Sequence, residues 1–595
     1  MLRTHTCGEL NEKDVKKKVS LAGWVQSPRD HGGVIFIDLR DKYGLTQIVF
    51  DPSHSKEGHT LAEGFRREDV IIIEGHVRHR PTGMTNEKLV TGAIEVLVDT
   101  IVHVNKAITP PLEIDDRFDA SEEVRMKYRY LDLRRTKMQK QLQFRHQVTI
   151  AIREHLNALQ FIEVETPLLI KTTPEGARDY VVPSRVHPGK FYALPQSPQI
   201  YKQILMIAGF DKYYQLARCL RDEDLRADRQ PEHTQLDLEM SFAEVDDILQ
   251  LTEGLIKHVF KKVLNKEIKT PFTRLRFVDS MEKYCIDKPD IRFGMHCATV
   301  TEIVKHAEFK VFKDVIENGG IVKVLNAEKC AEKLSRNQID DLISFAQKEG
   351  AKGLAWMKVT KEHSFESNIA KFFPPDAQKK LIEKTGAKAG DLLLFAADKE
   401  KLVNDVLSKV RLKLGNDLGL INKEEFVFCF VTDFPMFDWN DQENKWDFCH
   451  NPFTMPRKED LQFIETNPGK VYSYQYDFVV NGNELFSGSV RNTIPELQEK
   501  MFKVTGMDEK VIKERFGFLL EAYKYGAPSH AGFGLGIDRL SALMQGLHDI
   551  REVIAFPKNK AAASLMDEAP SDIEPKQLKE LHLKLDIVKV EKKVE

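Results

Sequence analysis

The sequence predicts a multidomain protein in which a small all-β barrel precedes a larger α+β unit that carries an inserted α+β domain. The chain has 595 residues, which is too long for one hydrophobic core. Its first hundred residues alternate apolar and polar side chains between turns, whereas many later segments have helical spacing. Near the C-terminus, Gly532, Gly534 and Gly536 occupy alternate positions of an extended segment that directly precedes a helix-forming run.

The composition is that of an ordinary globular protein. Hydrophobic residues make up 42% and charged residues 30%, and the formal net charge is −3. No run of about 18 apolar residues predicts a membrane span, and the N-terminus lacks the apolar stretch of a signal peptide. Seven cysteines without a Cys-x-x-Cys pair favour a reduced, cytoplasmic compartment. The balanced charge excludes a protein coated for non-specific DNA binding, so any nucleic-acid contact would use local basic patches.

Residues 1–106 are predicted to form the barrel. Five runs with strand periodicity, separated by turns that often carry glycine, favour a small closed barrel of the OB-fold type; they cover 19–26, 33–40, 45–50, 70–78 and 93–104. Phe36 lies on the outer face, near Arg29 and Gln47, where it would suit stacking on single-stranded bases. The alternative is that Phe36 packs under a loop.

The rest of the chain divides by composition. Residues 107–140 read as a linker with two consecutive prolines and a basic cluster, which is either a nucleic-acid contact or a solvated helix face. The next segment, residues 141–290, is the first part of the α+β unit. A helix predicted over 139–159 leads into it and is followed by a strand over 161–169, whose Pro167 belongs at a strand edge or an interface. The last three predicted segments are an inserted domain (291–414), the second part of the α+β unit (415–565) and a lysine-rich extension (566–595).

Two distant segments carry the chemistry. Residues 220–226 read Leu-Arg-Asp-Glu-Asp-Leu-Arg, and residues 531–540 read Ala-Gly-Phe-Gly-Leu-Gly-Ile-Asp-Arg-Leu. In the second segment, Arg539 lies at the start of a helix, where the helix N-terminus and the guanidinium would favour binding of a nucleotide phosphate. A plain strand–helix turn would also explain the glycines. Together the segments resemble motifs 2 and 3 of the class II aminoacyl-tRNA synthetases, which implies a catalytic α+β domain built on an antiparallel sheet. The helix, strand and proline over 139–169 resemble motif 1, which builds the dimer interface in that family.

Longer stretches narrow the resemblance to the bacterial-type aspartyl-tRNA synthetases. They include Gly23-Trp24-Val25, Gly488-Ser489-Val490-Arg491 and the segments 128–134, 173–180, 196–203, 221–239, 450–454 and 554–558. The inserted segment is similar to the extra domain of those enzymes. The resemblance implies a homodimer that activates L-aspartate with ATP and transfers it to tRNA(Asp).

The resemblance also implies roles for individual residues. Arg221 and Arg539 would be catalytic. L-Aspartate would be bound by Glu175, Gln199, Lys202, Arg221, Asp237, His450 and Arg491. ATP would be bound by Arg221, Asp222, Glu223, Gln230, His233, Glu484, Gly536, Ile537, Asp538 and Arg539, with Glu239 and Ser241 in support. Mg²⁺ would be held by Asp477 and Glu484, although a solvated hairpin would also carry such acids.

Two positions give finer expectations. His233 stands where relatives commonly have a phenylalanine that stacks on adenine, so we expect a weaker or mildly pH-sensitive ATP contact. The barrel would bind the anticodon through Arg29, Phe36 and Gln47. His31 with Gly83 is typical of relatives that also charge tRNA(Asn), which predicts a non-discriminating enzyme. A strictly discriminating enzyme, a synthetase for asparagine or lysine, and a non-catalytic RNA-binding relative are the alternatives.

Overall fold

The computed structural model describes residues 2–172 and 177–587. They form two compact units. One comprises residues 2–144 together with Arg551–Asp572, and the other comprises Arg145–Ile550 together with residues 573–587. In the part of the chain that is described, no helix is both long enough and apolar enough to cross a membrane.

The first unit contains the predicted barrel. Its strands are β1 (Lys18–His31), β2 (Val34–Arg40), β3 (Leu45–Phe50), β4 (Val70–His79) and β5 (Ile94–Asn105), and helix α1 (Lys56–Ala62) lies between β3 and β4. The strands close in the order β1-β2-β3-β5-β4, with β3 and β5 parallel. Side chains alternate between a buried core and the outer face along β1, β2 and β4, as period-2 patterning requires. The predicted OB-fold is therefore confirmed.

The basic cluster after the barrel turns inward. Helices α2 (Glu122–Lys127), α3 (Arg129–Asp132) and α4 (Thr136–Ala158) follow one another there. Arg125 bonds Asp132 and Glu552, while Arg129 bonds Asp132 and three backbone carbonyls between Arg551 and Ala555. Arg129 and Arg135 are 4% and 3% exposed. For these three arginines, both readings of the cluster are therefore wrong: they are internal ion pairs that hold this unit together.

The second unit is larger and mixes helices with sheet. Before the insertion it contains strands β6 (Ile162–Glu163), β7 (Val181–Pro183), β8 (Phe191–Ala193), β9 (Lys212–Leu220), β10 (Glu232–Ser241) and β11 (Thr273–Arg276), and helices α5 (Gln199–Ile207), α6 (Val245–Leu264) and α7 (Phe277–Tyr284). The strand predicted over 161–169 is shorter than expected. Only Ile162–Glu163 pairs with β9, and the chain around Pro167 leaves the ladder.

The inserted segment builds its own sheet. It contains β12 (Cys297–Thr299), β13 (Ile321–Ala327), β14 (Ala355–Val359), β15 (Phe365–Glu366) and β16 (Leu392–Asp398), with helices α8 (Thr301–Val304), α9 (Lys310–Glu317), α10 (Arg336–Lys348), α11 (Pro375–Thr385) and α12 (Glu400–Asp417). The strand order is β12-β13-β16-β14-β15. Separate apolar clusters form around this sheet, one of them under α10 and α12.

The chain then returns to the main sheet. The remaining strands are β17 (Phe428–Thr432), β18 (Phe437–Asn440), β19 (Lys445–Phe448), β20 (Gln475–Val480), β21 (Asn483–Val490) and β22 (His530–Gly536), and the remaining helices are α13 (Pro495–Val504), α14 (Glu509–Tyr523), α15 (Ile537–Met544) and α16 (Pro575–Glu580). Short 3₁₀ turns cover Glu12–Asp14, Ala370–Phe372, Lys458–Phe463, Pro468–Lys470 and Ile550–Val553.

The main sheet has eight strands in the order β11-β17-β20-β21-β22-β10-β9-β6. The six central strands pair antiparallel, as predicted, and one parallel pair closes each edge. Strand β10, which follows the 220–226 segment, and strand β22, which carries the alternating glycines, are neighbours even though about 300 residues separate them. This adjacency brings the two motifs to one place.

Candidate active site

A cavity of about 490 Å³ lies over the central strands of the main sheet. Its wall is polar and comes from β10, β20, β21, β22 and the starts of α5 and α15. The residues that line it include Ser197, Gln199, Lys202, Arg221, Glu223, Asp228, Arg229, Gln230, His233, Gln235, Asp237, Lys288, His450, Gln475, Glu484, Ser487, Arg491, Gly534, Gly536, Asp538 and Arg539.

The glycines of β22 make room for acidic side chains on the neighbouring strand. Asp237 pairs across the ladder with Gly534, and Glu239 pairs with Gly532. A β-carbon at Gly532 would lie 2.0 Å from the Leu238 carbonyl oxygen and 2.3 Å from Glu239 Oε2. At Gly534 it would lie 3.2 Å from Asp237 Oδ1. Gly536, which is expected to bind ATP, is more open, since a β-carbon there would meet its nearest neighbour at 3.6 Å.

Four buried charges form a network at one end of the cavity. Lys202 Nζ lies 3.1 Å from Asp237 Oδ1 and 3.3 Å from Glu239 Oε2. Arg491 donates from Nε and Nη2 to the two oxygens of Glu239, at 2.8 and 3.2 Å. Its Nη1 donates to Ser489 Oγ at 2.7 Å. All four charged side chains are 4% exposed or less, so each depends on the others for its ionised state.

The two carboxylates of the network differ. Burial alone would raise the pKa of Glu239, but the charges of Arg491 and Lys202 outweigh it and hold the pKa below its usual value. Burial raises the pKa of Asp237, and Lys202 offsets this only in part. Glu239 therefore has enough positive charge around it. Ionised Asp237 is short of a cation, and a bound ammonium would supply one.

Two orphaned polar atoms also point to a ligand at this end. Asp237 Oδ2 and Gln199 Nε2 are buried and have no hydrogen-bond partner within the described chain. Both residues line the cavity. An unsatisfied buried acceptor and donor cost folding free energy unless something binds them, so a ligand with both a cationic and an acceptor group suits the place.

The other end of the cavity collects the residues expected to bind nucleotide. Arg539 donates to the Glu484 carbonyl at 2.6 Å and lies 3.4 Å from Asp228 Oδ2. Arg229 pairs with Glu223 at 3.0 Å. Arg221 donates to the Gln196 carbonyl at 3.4 Å, a long hydrogen bond that leaves most of its guanidinium for a ligand.

His233 lies in this cationic surrounding. Burial, followed by the charges of Arg221, Arg539 and Arg218, lowers the pKa of His233 to about 3. The ring is therefore neutral from pH 5.5 to 8. A neutral ring argues against a pH-sensitive ATP contact at this residue, and the expectation of a weaker contact stays a prediction.

The consequence for stability can be measured. Because the folded pKa lies below the unfolded value of about 6.5, the contribution of neutral His233 is present above pH 6.5 and is lost as the pH falls toward 3. His233→Phe should therefore lose less stability than the native protein between pH 7.5 and 5. Unfolding midpoints at both pH values test this, and an equal acid sensitivity in the two proteins contradicts it. The pH dependence of the ATP KM should not differ between them from pH 5.5 to 8.

Asp538 has a structural task. Its Oδ1 accepts from Arg145 on α4, at 3.0 and 2.8 Å, and its Oδ2 accepts from the Thr234 backbone at 2.9 Å. The carboxylate thus ties α15 to α4 and to β10. The ATP contact assigned to this residue remains a prediction, and its carboxylate oxygens are already engaged.

The acids expected to hold Mg²⁺ lie on neighbouring strands. Glu484 lines the cavity. Asp477 is buried behind it and accepts hydrogen bonds from Ser487 and from Gln475, the latter at 3.3 Å. Burial and the nearby carboxylates of Glu484 and Asp287 raise the pKa of Asp477. The described residues contain no cluster of three or more side chains that could hold a metal ion unaided. A pair of carboxylates suits a Mg²⁺ ion whose remaining ligands include the phosphates of the substrate.

Some expected residues lie elsewhere. Glu175 is outside the described residues. Asp222 pairs with Arg178 at 3.6 Å and, like Ile537, is not on the cavity wall. Glu239 and Ser241 are not on the cavity wall either, and the support of the nucleotide expected from them stays a prediction. Glu239 holds Lys202 and Arg491, and the Ser241 hydroxyl donates to Met206 Sδ at 3.2 Å. Their roles follow from the β10–β22 register, which a single sequence does not reveal.

The outer face of the barrel gathers the residues expected to meet an anticodon. Arg29 and Phe36 are direct cross-strand partners, and the rings of His31 and Phe36 lie 5.9 Å apart. Arg29 donates to Asp38 at 2.5 and 2.9 Å and to Gln47 at 3.4 Å. Gly83 has a φ of +83°, which suits the turn that it forms in the loop after β4.

Two arginines that were not among the predicted contacts extend this face. Arg78 donates to Glu95 at 2.8 Å, and Gln47 donates to the same carboxylate at 2.8 Å. Burial lowers the pKa of Arg80, and its charge and that of Arg29 influence one another, so the two lie close. Phe36 is partly exposed among these cations, an arrangement that suits a phosphate backbone with unstacked bases.

Comparisons with known proteins agree with both parts. A family model described as tRNA synthetases class II (D, K and N) matches residues 121–560, and one described as OB-fold nucleic acid binding domain matches residues 19–104. The chain therefore belongs to the class II tRNA synthetases of the D, K and N group.

Curated relatives are similar along the whole chain. A protein from Geobacillus sp. named Aspartate--tRNA(Asp/Asn) ligase is 52% identical and covers 100% of this chain and 99% of its own. One of the same name from Desulfatibacillum aliphaticivorans is 50% identical and covers 98% of each. One from Macrococcus caseolyticus, named Aspartate--tRNA ligase, is 49% identical and covers 99% of this chain and 100% of its own.

Solved structures support the fold. The asparaginyl-tRNA synthetase of Pyrococcus horikoshii, complexed with asparaginyl-adenylate, superposes with a TM-score of 0.59 at 20% identity. It covers 97% of this chain and 100% of that one.

Proposed function

We propose that this chain is an aspartate–tRNA ligase: it activates L-aspartate with ATP to aspartyl-adenylate and transfers the aspartyl group to tRNA. The observation that carries the proposal is the buried pairing of Lys202 and Arg491 with Asp237 and Glu239 at one end of the cavity. The relatives named above as aspartate–tRNA ligases, about 50% identical over nearly the full length, support it.

The charges at this end match L-aspartate. Within the network, Lys202 and Arg491 balance Asp237 and Glu239. Arg221, whose charge reaches Asp237 from the nucleotide end of the cavity, adds one net positive charge. Aspartate carries two carboxylates and one ammonium, so it brings one net negative charge. Asparagine is neutral overall and lysine is cationic, so either would leave buried charge unbalanced.

Each group of the substrate then has a partner. Lys202 and Arg491 receive the β-carboxylate, Asp237 Oδ2 receives the ammonium, and Arg221 receives the α-carboxylate and the α-phosphate. An α-carboxylate oxygen attacks the α-phosphorus, the bond to the β-phosphate breaks, and pyrophosphate leaves. A tRNA hydroxyl then attacks the activated carbonyl carbon and releases AMP. Such transfers need positioning and charge neutralisation rather than a protein nucleophile.

Mg²⁺ is a further part of the proposal. Glu484 would hold it, with Asp477 behind, and the ion would neutralise charge on the ATP phosphates. Arg539 and Glu484 are joined through the Glu484 carbonyl, so the same contact positions the cation-binding acid and the phosphate-binding arginine.

ATP–pyrophosphate exchange with each amino acid tests the function. Aspartate should drive exchange, and asparagine and lysine should not. Exchange driven by asparagine or lysine instead would identify a different synthetase of this group. Absence of exchange with every amino acid would favour a non-catalytic RNA-binding relative.

We also propose that the barrel reads the tRNA anticodon and tolerates both aspartate and asparagine tRNAs. The two anticodons differ in one pyrimidine, cytosine or uracil, and one or two contacts worth about 1–3 kcal/mol each could distinguish them. His31, beside Phe36, can donate or accept a hydrogen bond, so it can serve either base.

Aspartylation of both transcripts tests this specificity. The native protein should charge tRNA(Asn) within about a hundredfold of tRNA(Asp), since no single strong contact rejects it. His31→Leu should lower charging of tRNA(Asn) more than charging of tRNA(Asp), and His79→Leu, a histidine at the end of β4, should change neither. A native preference for tRNA(Asp) above about a thousandfold would instead indicate a strictly discriminating enzyme.

A homodimer is the proposed assembly. The short strand β6 and the chain around Pro167 leave three large apolar side chains about half exposed: Ile162 at 49%, Leu168 at 50% and Leu169 at 53%. Such an apolar surface beside an edge strand suits a two-fold contact with a second copy.

A further inference from the structure

The inserted domain is rooted beside the active-site cavity. The chain runs from α7 into β12 through residues 285–296, and within that loop Lys288 lines the cavity. This loop, which leads into the insertion, contributes Lys288 to the cavity wall.

Contacts with the sheet fix the position of this loop. A β-carbon on Gly482, in the turn between β20 and β21, would lie 3.2 Å from Asp290 Cβ, so the loop packs directly on that turn. Asp287 is close enough to affect the ionisation of His450 and Asp477. The turn continues into Glu484, whose carbonyl receives Arg539. Lys288 therefore lines the cavity beside the turn that leads to Glu484, one of the residues expected to bind ATP.

The loop also holds Lys288 in a defined backbone conformation. Arg292 clamps Asp290 with hydrogen bonds of 2.6 to 3.2 Å and reaches the Asn422 carbonyl at 3.2 Å, where the chain returns from the insertion. Pro289 follows Lys288 directly and restricts its backbone to extended conformations. The ammonium is thus presented from an anchored segment.

Lys288 is the cation of the cavity that lacks an internal partner. Among the described residues that line the cavity, Lys202, Arg221, Arg229, Arg491 and Arg539 each have an ion pair or hydrogen bond, whereas Lys288 has neither and is exposed. An anchored, solvated ammonium beside a cavity that takes a polyphosphate is suited to bind the anion.

We propose that Lys288 binds the pyrophosphate portion of ATP, the group that leaves when the adenylate forms, and so makes the root of the inserted domain part of the active site. This rests on the proposed function for the nature of the substrate. Bound at this position, the ammonium adds charge neutralisation on the leaving group, away from the carboxylate-binding network. It gives the insertion a direct effect on nucleotide binding and on pyrophosphate release.

The test is equilibrium binding of inorganic pyrophosphate with Mg²⁺ to the full-length protein, which needs no amino acid. Lys288→Gln should weaken pyrophosphate binding about tenfold, as expected for the loss of one charged contact. The affinity of Lys288→Arg should stay within about threefold of that of the native protein. Lys283→Gln removes an exposed lysine on α7 that does not line the cavity, and it should change nothing. In exchange assays, Lys288→Gln should raise the ATP KM by a similar factor and leave the aspartate KM within twofold.

Three results would overturn the proposal: no pyrophosphate binding by the native protein, equal binding by the native protein and Lys288→Gln, or the same loss in Lys283→Gln. These differ from a failure of the proposed function. That failure appears as native exchange that aspartate does not drive, while the pyrophosphate measurement still decides the role of Lys288.

Discussion

Arg491→Leu should nearly abolish aspartate-dependent ATP–pyrophosphate exchange and should also destabilise the folded protein. The substitution removes the guanidinium from the proposed β-carboxylate site and at the same time strips Glu239 of its closest partner. Breaking a buried pair in this way costs about 3–5 kcal/mol, because the remaining charge stays buried without a partner and without solvation. Exchange should fall by roughly a thousandfold or more if that energy is lost in substrate binding.

A double variant separates the two effects. Arg491→Leu with Glu239→Leu removes both members of the pair, and apolar replacements of a buried pair are often close to neutral for stability. The unfolding midpoint should therefore recover most of what the single variant lost, whereas exchange should stay abolished. Glu239→Gln is the matched control, since it keeps Arg491 and a hydrogen-bonding partner. Activity within tenfold of the native value in Arg491→Leu would mean that Arg491 does not bind the substrate.

Asp237→Asn should weaken aspartate binding by roughly a hundredfold with little change in ATP binding. Its Oδ2 is the orphaned buried acceptor that we assign to the substrate ammonium, and a charged hydrogen bond contributes about 1.5–3 kcal/mol. The amide keeps the shape of the side chain but loses its charge, and Lys202 still retains Glu239. Isothermal titration with aspartate and, separately, with ATP measures both effects.

Succinate makes the test specific, because it is aspartate without the ammonium. The native protein should prefer aspartate to succinate strongly, and Asp237→Asn should lose most of that preference because the ammonium of aspartate then has no anionic partner in the site. Glu232→Gln, on the same strand but off the cavity wall and paired with Arg218, should keep the native preference. A preference unchanged in Asp237→Asn would show that the ammonium binds elsewhere.

The sequence was most informative where one strand or one turn decides the structure. The alternation along β1, β2 and β4 predicted the barrel, because period-2 burial is a local property. Only the resemblance to a family predicted that Lys202 and Arg491 share one site. In the structure both side chains form ion pairs with Glu239.

It was least informative where a partner lies far along the chain. The arginines around α2 and α3 looked like a surface patch, but their partners are Asp132 and the segment near Glu552. The sequence does not show that Arg221 and Arg539 lie near His233, because these residues come together only when β10 pairs with β22. From the sequence alone, His233 therefore looked titratable. Burial of that kind depends on sheet register, which no local pattern encodes.

The glycines of β22 have a consequence for how this sequence can vary over evolution. No residue larger than glycine fits at position 532, because the Glu239 carboxylate and the Leu238 carbonyl occupy the space that a β-carbon would need. A side chain at position 532 would displace that carboxylate and with it the partner of Arg491. Drift at these two strand positions should therefore be coupled: a lineage that keeps the acid on β10 must keep glycine opposite it. Gly532 is thus required by an acidic neighbour on β10 rather than by the nucleotide.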